Sequence, residues 1–385
     1  MNKPTSFSIV RADNARADNV RADSPLEKDR AGSEANRQFK SPNGVPDGLP
    51  EEQICGLPQS SSEDAAAQAP ARRRLAVIAL GGNAVLRKGQ AATADQEIAN
   101  LERVTTDIAR LASSYDLVVT HGNGPQVGNI LARFEECARL VPPLPLDVAV
   151  AHSLGELGYL IQQTLGNEIR ARGLAREVVT VLTQVVVDPD DPGFAYPSKP
   201  IGPRVTREEA ESLRQTRGWV MGEVSDHTYR RLVPSPRPLR IVESALVRSL
   251  VRSEAIVIAV GGGGIPVVET ADGRLRGVEA VIDKDLASGL LAREIGADYL
   301  VILTDVERAA LNYGTPEQTE LAGLDLASAR SYLAQGHFPE GSMGPKIKAA
   351  VEFLEEGGEV AIVTSTEKLL EALRGQTGTR LATHR

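Results

Sequence analysis

Cysteine is scarce in this chain of 385 residues, and long apolar runs are missing. The two cysteines, Cys55 and Cys137, are far apart and match no metal-ligand spacing, so they indicate neither a disulfide framework nor a zinc site. The longest apolar runs, such as 75–80, suit a buried strand and are too short to span a membrane. The first residues lack the apolar core of a secretory signal. These absences predict a soluble cytoplasmic protein that has no membrane partner.

Positive charge is also in short supply. Lys and Arg number 43 against 51 Asp and Glu, which gives a net charge of -8. This balance argues against nucleic acid as a partner, although an acidic protein still binds an anion where its few cations converge. The hydrophobic fraction of 42% and the charged fraction of 24% are typical of globular proteins. The length allows one large domain or two smaller ones.

Residues 1–71 differ from the rest of the chain. The segment Arg11–Ser24 reads RADNARADNVRADS, a repeat that matches neither helix nor strand periodicity. The residues that follow are rich in Pro, Gly, Ser and charge, so they cannot bury enough apolar surface to offset the entropy lost on ordering. We therefore predict a disordered extension over 1–71 and a folded domain over 72–385.

From Arg72 onward, apolar runs of strand length alternate with amphipathic helical patterns. The runs are LAVIAL, DLVVT, VVTVL, AIVIAV, YLVILT and VAIVT. Helices are predicted between them, for example over Gln96–Ser113 and Ala287–Gly296. Continuous apolar strands that alternate with helices indicate an α/β fold, in which a mainly parallel sheet is covered on both faces. Such sheets bind ligands at the carboxyl ends of their strands.

One stretch departs from this alternation. Residues from Pro189 to about Pro238 are crowded with Pro, Gly and charged residues. Because prolines stiffen the backbone, we predict that about 189–238 forms a structured lobe or lid inserted into the domain, and not a flexible linker.

Three predicted strands end in glycine-rich turns, at Gly81-Gly82, Gly122-Asn123-Gly124 and Gly261–Gly264. In such turns backbone N–H groups can converge on phosphate oxygens, and a following helix adds its dipole. A single glycine after a strand is most often only a turn, but three such turns on one sheet favour a phosphate site. The P-loop pattern GxxxxGK[ST] is absent. A dehydrogenase is disfavoured because Pro125 interrupts the loop and no acidic residue follows at the dinucleotide-binding distance.

Three lysines have surroundings that suggest phosphoryl transfer. Lys199 lies among prolines, Lys284 lies between Asp283 and Asp285, and Lys346 follows a Gly-Pro turn. A lone lysine is usually only solvated, but we predict that these three occupy rigid loops and meet at one anion. Phosphoryl transfer needs such cations, and one at ~4 Å contributes about 4 kcal/mol at an effective dielectric of about 20. The histidines show no nucleophile or metal-ligand pattern.

Seven motifs occur in one order from about Arg72 to the C-terminus. They are Ala79–Ala84 (ALGGNA), Thr120–Gly128 (THGNGPQVG), Val181–Asp188 (VLTQVVVD), Lys199–Pro203 (KPIGP), Gly261–Pro266 (GGGGIP), Gly277–Asp285 (GVEAVIDKD) and Gly341–Lys346 (GSMGPK). Together they resemble the carbamate kinases of the amino acid kinase family. The resemblance implies the amino acid kinase fold, an α/β/α sandwich of three layers around an open, mainly parallel sheet, with an inserted lid lobe.

The resemblance also implies an activity. Members transfer a phosphoryl group reversibly between ATP/ADP and carbamate/carbamoyl phosphate, with Mg²⁺ accompanying the nucleotide and no metal ligand from protein side chains. They are homodimers, and many make ATP during carbamoyl phosphate or arginine catabolism. Residues 72–250 would form the half that binds carbamoyl phosphate, and 251–385 would form the nucleotide-binding half.

Individual residues gain roles by the same resemblance. Lys284 would contact the transferred phosphoryl group, Asp285 would orient the lysines, and Lys346 would neutralise the leaving nucleotide phosphates. The residues around carbamoyl phosphate would be Gly81, Gly82, Asn83, Gly122, Asn123, Gly124 and Lys199. Those on the nucleotide side would be Gly261, Gly262, Gly263, Thr304, Asp305 and Tyr313.

Two alternatives remain open. The first is an acid kinase of the same fold with another acceptor, although the KPIGP motif favours carbamate. The second is a catalytically weak nucleotide-binding regulator, because Asp226–Tyr229 replaces a Gly-Arg-Gly-Trp motif of the family. The intact set of lysines argues for catalysis.

Overall fold

The computed structural model describes residues 72–87, 89–225 and 227–383, so the extension predicted over 1–71 lies outside the described residues. The strands are β1 Arg74–Leu80, β2 Tyr115–His121, β3 Val178–Thr180, β4 Gln184–Val187, β5 Lys199–Val205, β6 Met221–Ser225, β7 Thr228–Val233, β8 Pro238–Ile241, β9 Ile256–Ile258, β10 Ile265–Glu269, β11 Leu275–Gly277, β12 Tyr299–Thr304, β13 Ala309–Leu311, β14 Thr319–Leu321, β15 Gly323–Asp325, β16 Val360–Ser365 and β17 Thr379–Ala382. The helices are α1 Gly82–Val85, α2 Ala94–Leu111, α3 Gly124–Glu136, α4 Leu146–Ala171, α5 Arg207–Arg217, α6 Ser244–Arg252, α7 Lys284–Ile295, α8 Leu326–Ala334, α9 Met343–Glu355 and α10 Leu369–Leu373. Within these ranges no helix combines the length and apolarity needed to cross a membrane.

The largest sheet has eight strands in the order β15-β17-β16-β12-β1-β2-β9-β3. The strands from β16 to β3 run parallel, whereas β17 is antiparallel to β16. This arrangement confirms the predicted, mainly parallel sheet. Strand β1 lies inside the sheet and is apolar and buried from Leu75 to Leu80, as a strand covered on both faces requires.

Helices cover both faces of this sheet. Alternate residues of a strand point to opposite faces, so Val77 and Ala79 of β1 pack in one core, with residues of α6, α7, α8 and α9. Ala76 and Ile78 pack in a second core, with residues of α2, α4 and α10. The predicted three-layer α/β/α sandwich is therefore confirmed.

The lobe, residues Lys199–Val233, has its own antiparallel sheet in the order β5-β7-β6. Helix α5 contributes Ala210 to a small core that also contains Met221 and Tyr229. The helix begins at a capping box, in which Thr206 and Glu209 each accept a hydrogen bond from the other's backbone N–H. This small sheet lies within the predicted range of about 189–238, and β8, which begins at Pro238, pairs with β4 in a different sheet.

Candidate active site

Glycine turns follow three neighbouring strands, β1, β2 and β9. Gly81 comes directly after β1, Gly122 comes directly after β2, and Gly261 follows shortly after β9. Because these strands are adjacent and parallel, their carboxyl ends lie at one edge of the sheet. The structure thus confirms that the three predicted turns share this edge.

A buried carboxylate lies between two ammonium groups near this edge. Lys284 Nζ is 2.7 Å from Asp285 Oδ1, and Lys346 Nζ donates a hydrogen bond of 2.6 Å to Asp285 Oδ2. Asp285 is only 4% exposed. Lys284 Nζ is buried and forms an ion pair with Asp285, and Lys284 also lines the cavity described below. An ammonium group has three N–H donors, so those that do not face Asp285 can contact an anionic ligand.

Local sequence places these groups at the beginnings of helices. Asp283 is the N-cap of α7, and its Oδ1 accepts hydrogen bonds from the backbone N–H groups of Asp285 (2.9 Å) and Leu286 (3.2 Å). Lys284 is consequently the first residue of α7, and Lys346 lies in the first turn of α9. The prediction that these two lysines occupy loops was wrong, because polar residues at a helix start show no apolar periodicity.

The three charges change one another's pKa values. Burial raises the pKa of Asp285, but the two ammonium groups outweigh burial and hold this pKa well below its usual range. Burial lowers the pKa of Lys346, but attraction to Asp285 prevails and the pKa is raised. Burial lowers the pKa of Lys284, and the charge of Lys346 lowers it further, against the attraction of Asp285. An anion bound beside Lys284 would stabilise its charged form.

Lys199 connects the lobe to the beginning of α7. Its Nζ donates a hydrogen bond of 2.7 Å to Asp283 Oδ2, while the other oxygen of Asp283 caps the helix that contains Lys284. Lys199 was predicted in a loop, and this was wrong: it is the first residue of β5 because it pairs with Val233. One carboxylate thus joins the lobe to the helix of the buried ammonium group.

A cavity of about 660 Å³ is lined by Lys284 and Lys346. Other predicted site residues in its lining are Gly81, Gly82, Asn83, Thr304, Asp305 and Tyr313. The remaining lining residues are Arg204, Arg230, Val306, Arg308, Ala310, Pro339, Gly341, Ser342 and Met343. Residues predicted for acceptor binding and residues predicted for nucleotide binding therefore share one cavity.

The predicted nucleotide-binding residues Gly261, Gly262 and Gly263 are buried and do not line this cavity. A Cβ on Gly262, which has a φ of +60°, would lie 2.1 Å from Asn123 Cγ. A Cβ on Gly263 would lie 2.4 Å from the carbonyl oxygen of Ile282. These glycines allow the chain to pack tightly behind the residues that lead into α7.

Other residues predicted around the acceptor also lie outside the cavity lining. Gly122 packs beside Lys284, since a Cβ there would lie 3.7 Å from Lys284 Cδ. Asn123 is buried, and its Nδ2 donates a hydrogen bond of 2.7 Å to Ser153 Oγ. Gly124 is the first residue of α3. Together with Lys199, these residues support the site from the side of β2 and the lobe.

His121 is a buried neighbour of this cluster. Its Nδ1 donates to the carbonyl of Gly122 at 3.1 Å, and a Cβ on Gly261 would lie 2.3 Å from its Nε2. Burial lowers the pKa of His121 and the charge of Lys284 adds to this effect, against the hydrogen bond to Gly122, so that the pKa is about 4. The ring is therefore neutral at pH 7 and packs beneath the glycine turns.

The sequence analysis missed three arginines of the cavity, Arg204, Arg230 and Arg308. Arg204 directly follows the KPIGP motif, and Arg308 lies shortly after the predicted Asp305. Their position next to predicted site residues could have indicated that Arg204 and Arg308 belong to the site. Nothing in the sequence marked Arg230, which enters the cavity only because the lobe folds over it.

The chain is similar in sequence to known proteins. The sequence model of the amino acid kinase family matches residues 74–365. The carbamate kinase of Pyrococcus horikoshii is 49% identical over 308 residues, covering 79% of this chain and 98% of the relative. The carbamate kinase-like protein YahI of Escherichia coli is 45% identical over 313 residues, covering 80% of this chain and 99% of the relative.

The fold is also similar to that of a solved carbamate kinase structure. The carbamate kinase of Giardia lamblia bound to AMP-PNP superimposes with a TM-score of 0.75 at 40% identity, covering 80% of this chain and 98% of the other. A three-layer sandwich with paired ammonium groups at a glycine-lined sheet edge is the architecture of a small-molecule kinase. This chain belongs to the amino acid kinase family.

Proposed function

We propose that this kinase transfers a phosphoryl group reversibly between ATP/ADP and carbamate/carbamoyl phosphate. The observation that supports this proposal is the cluster in which Lys284 and Lys346 hold Asp285 at 2.7 and 2.6 Å. The cluster brings two ammonium groups to a cavity lined by residues that the carbamate kinase resemblance assigns to both substrates. Carbamate is proposed as the acceptor because the similar proteins are carbamate kinases.

The mechanism we propose is a direct in-line transfer. An oxygen of carbamate forms a bond to the terminal phosphorus of ATP, while the bond from that phosphorus to the bridging oxygen of ADP breaks. Carbamate is itself an anionic nucleophile, so no general base is required, and the protein contributes positioning and positive charge. His121 is buried and neutral, which is consistent with a transfer that uses no general base.

The charged residues would have separate roles in this transfer. Lys284, which pairs with Asp285 and lines the cavity, would contact the phosphoryl group in transit. Lys346 would neutralise the leaving phosphates of the nucleotide. Asp285 holds both ammonium groups in place, and its own charge persists because they lower its pKa. Gly81, Gly82 and Asn83 would offer backbone groups to the acceptor, with Gly122, Asn123, Gly124 and Lys199 supporting them.

The nucleotide would lie against Thr304, Asp305 and Tyr313, whereas Gly261–Gly263 pack against residues at or just after the end of β2 and before α7. Mg²⁺ would enter with ATP or ADP and offset phosphate charge. Within the described residues no group of three His, Cys, Asp or Glu side chains could hold a metal, and both Asp285 oxygens face ammonium groups. The ion would therefore be bound mainly by the nucleotide. A homodimer, a cytoplasmic location and a role in arginine catabolism are proposed from the family resemblance.

The test is a coupled assay of ATP formation from ADP and carbamoyl phosphate with Mg²⁺. We expect turnover with carbamoyl phosphate and none with acetyl phosphate or an acyl phosphate of an amino acid. Turnover with another acyl phosphate alone would assign a different acceptor on the same fold. ADP binding without turnover on any acceptor would identify a nucleotide-binding regulator instead.

A further inference from the structure

The lobe contributes two arginines to the cavity, Arg204 from β5 and Arg230 from β7. Lys284, Lys346 and Arg308 line the same space, so the cavity has five cationic side chains. Among its lining residues, Asp305 is the sole carboxylate. The lobe thus adds positive charge to a site that already has a cationic wall.

Arg204 and Arg230 lie near each other, since both line this cavity. In the antiparallel pair of β5 and β7, Val205 is opposite Tyr229, and the register shifts between Ile201 and Val205, the stretch that contains Arg204. Burial lowers the pKa of Arg230, and the charge of Arg204 lowers it further. The two guanidinium groups are therefore close enough to interact electrostatically.

The backbone of the lobe fixes Arg230 in this position. Arg230 Nε donates a hydrogen bond of 2.9 Å to the carbonyl of Gly202. Gly202 in turn packs directly on α3, where a Cβ on Gly128 would lie 2.3 Å from Gly202 Cα. The guanidinium is therefore held by one nitrogen at the base of the lobe, and its other nitrogens can contact a ligand.

We propose that Arg204 and Arg230 bind the phosphate oxygens of a substrate in this cavity, from the lobe side, while Lys284 and Lys346 bind from the sheet side. Guanidinium groups suit this task because their planar donors match two oxygens of one phosphate. The phosphate belongs either to carbamoyl phosphate or to the nucleotide, and the inference on the substrate's identity rests on the proposed function.

Arg231 provides a matched control on the same strand. Its guanidinium stacks on Trp219 at 4.5 Å from the ring centroid and lies 4.0 Å from Glu135. It lines a different, mainly apolar cavity of about 210 Å³ between α3 and the lobe. Arg230 and Arg231 are thus adjacent in sequence but face opposite sides of β7.

The experiment compares Arg204→Gln, Arg230→Gln, the double variant and Arg231→Gln. Rates are measured against carbamoyl phosphate and against ADP, and calorimetry measures the binding of inorganic pyrophosphate. Loss of one charge-assisted contact should weaken binding by about 10- to 100-fold. We expect KM to rise for one substrate, which identifies the phosphate concerned, and pyrophosphate binding to weaken. Arg230→Lys should recover only part of the loss, and Arg231→Gln should bind like the wild type.

Unchanged KM values for both substrates and unchanged pyrophosphate binding in the folded double variant would overturn the inference. Folding is checked by thermal unfolding, and if the double variant unfolds, the single variant of the exposed Arg204 decides. Failure of the proposed function has a different signature. In that case the wild type makes no ATP from carbamoyl phosphate, while the pyrophosphate titrations still report on the arginines.

Discussion

Lys346 Nζ donates a hydrogen bond of 2.6 Å to Asp285 Oδ2 and thereby joins the beginnings of α9 and α7. The second oxygen of the same carboxylate lies 2.7 Å from Lys284 Nζ. Two like charges are held near each other only because this buried carboxylate lies between them. The contribution of these three residues to turnover and to the free energy of unfolding can be measured.

Lys284→Ala should retain the fold and lose most of the ATP formation. Removal of one preorganised electrostatic contact typically lowers a rate by about 10²–10³. The control is Lys348→Ala, which removes an exposed lysine of α9 and should leave the rate unchanged. Near-normal turnover by Lys284→Ala in the coupled assay would show that Lys284 does not stabilise the transferred phosphoryl group.

Asp285→Asn should destabilise the protein and nearly abolish turnover. Loss of the carboxylate leaves two partly buried ammonium groups without the counter-charge that contacts both, and breaking such a buried ion pair costs about 3–5 kcal/mol. The folded-state pKa of Asp285 is depressed, so its contribution is present above the unfolded pKa, about 3.9, and is lost as the pH falls below it. The difference in free energy of unfolding between the two proteins should therefore shrink in acid. A difference that is independent of pH would contradict the ion-pair interpretation.

His121 should lower stability between about pH 6.5 and pH 4. The unfolded chain takes up a proton in this window and the folded chain does not, so unfolding becomes easier as the pH falls, by about 3 kcal/mol in all. Below the folded pKa both states are protonated and this effect levels off. Urea denaturation at a series of pH values would show a smaller slope for His121→Asn than for the wild type. Identical slopes would mean that the pKa of the buried ring is the same in the folded and the unfolded chain.

Gly128→Ala should displace the lobe from α3. A Cβ at this position would lie 2.3 Å from Gly202 Cα, so backbone must move. Overpacking of this kind costs about 1–3 kcal/mol, and turnover should fall because Arg204 and Arg230 move with the lobe. Gly155→Ala is the matched control, since nothing lies within 4 Å of its added Cβ on α4. Equal thermal stability and equal rates for the two variants would show that the contact is not tight.

Most of the central sheet and its covering helices could be predicted from the sequence. Runs such as YLVILT gave strand β12 at its observed bounds, because a strand covered on both faces must be apolar throughout. The amphipathic pattern gave α2 to within a few residues. Helix α7 was predicted to begin too late, at Ala287, because Asp283 and not an apolar residue decides where it begins.

The site was only partly predictable for a related reason. Residues near the glycine turns and the lysines have recognisable neighbours in the sequence, and many of them do line the cavity. Of the two arginines of the lobe, Arg204 directly follows the KPIGP motif, whereas Arg230 has no such signal. Their position depends on a contact between Gly128 and Gly202 that brings the lobe over the site.

Apolar periodicity and turn chemistry, which act between near neighbours, therefore determined the layers of this protein and the sheet edge at which the glycine turns lie. The tertiary structure alone decided which charges share that edge. Asp285 meets Lys346 across 61 positions of the chain, and Lys199 meets Asp283 across 84. Such pairs depend on how whole elements pack, because the energy of a buried charge is set by the groups around it in space.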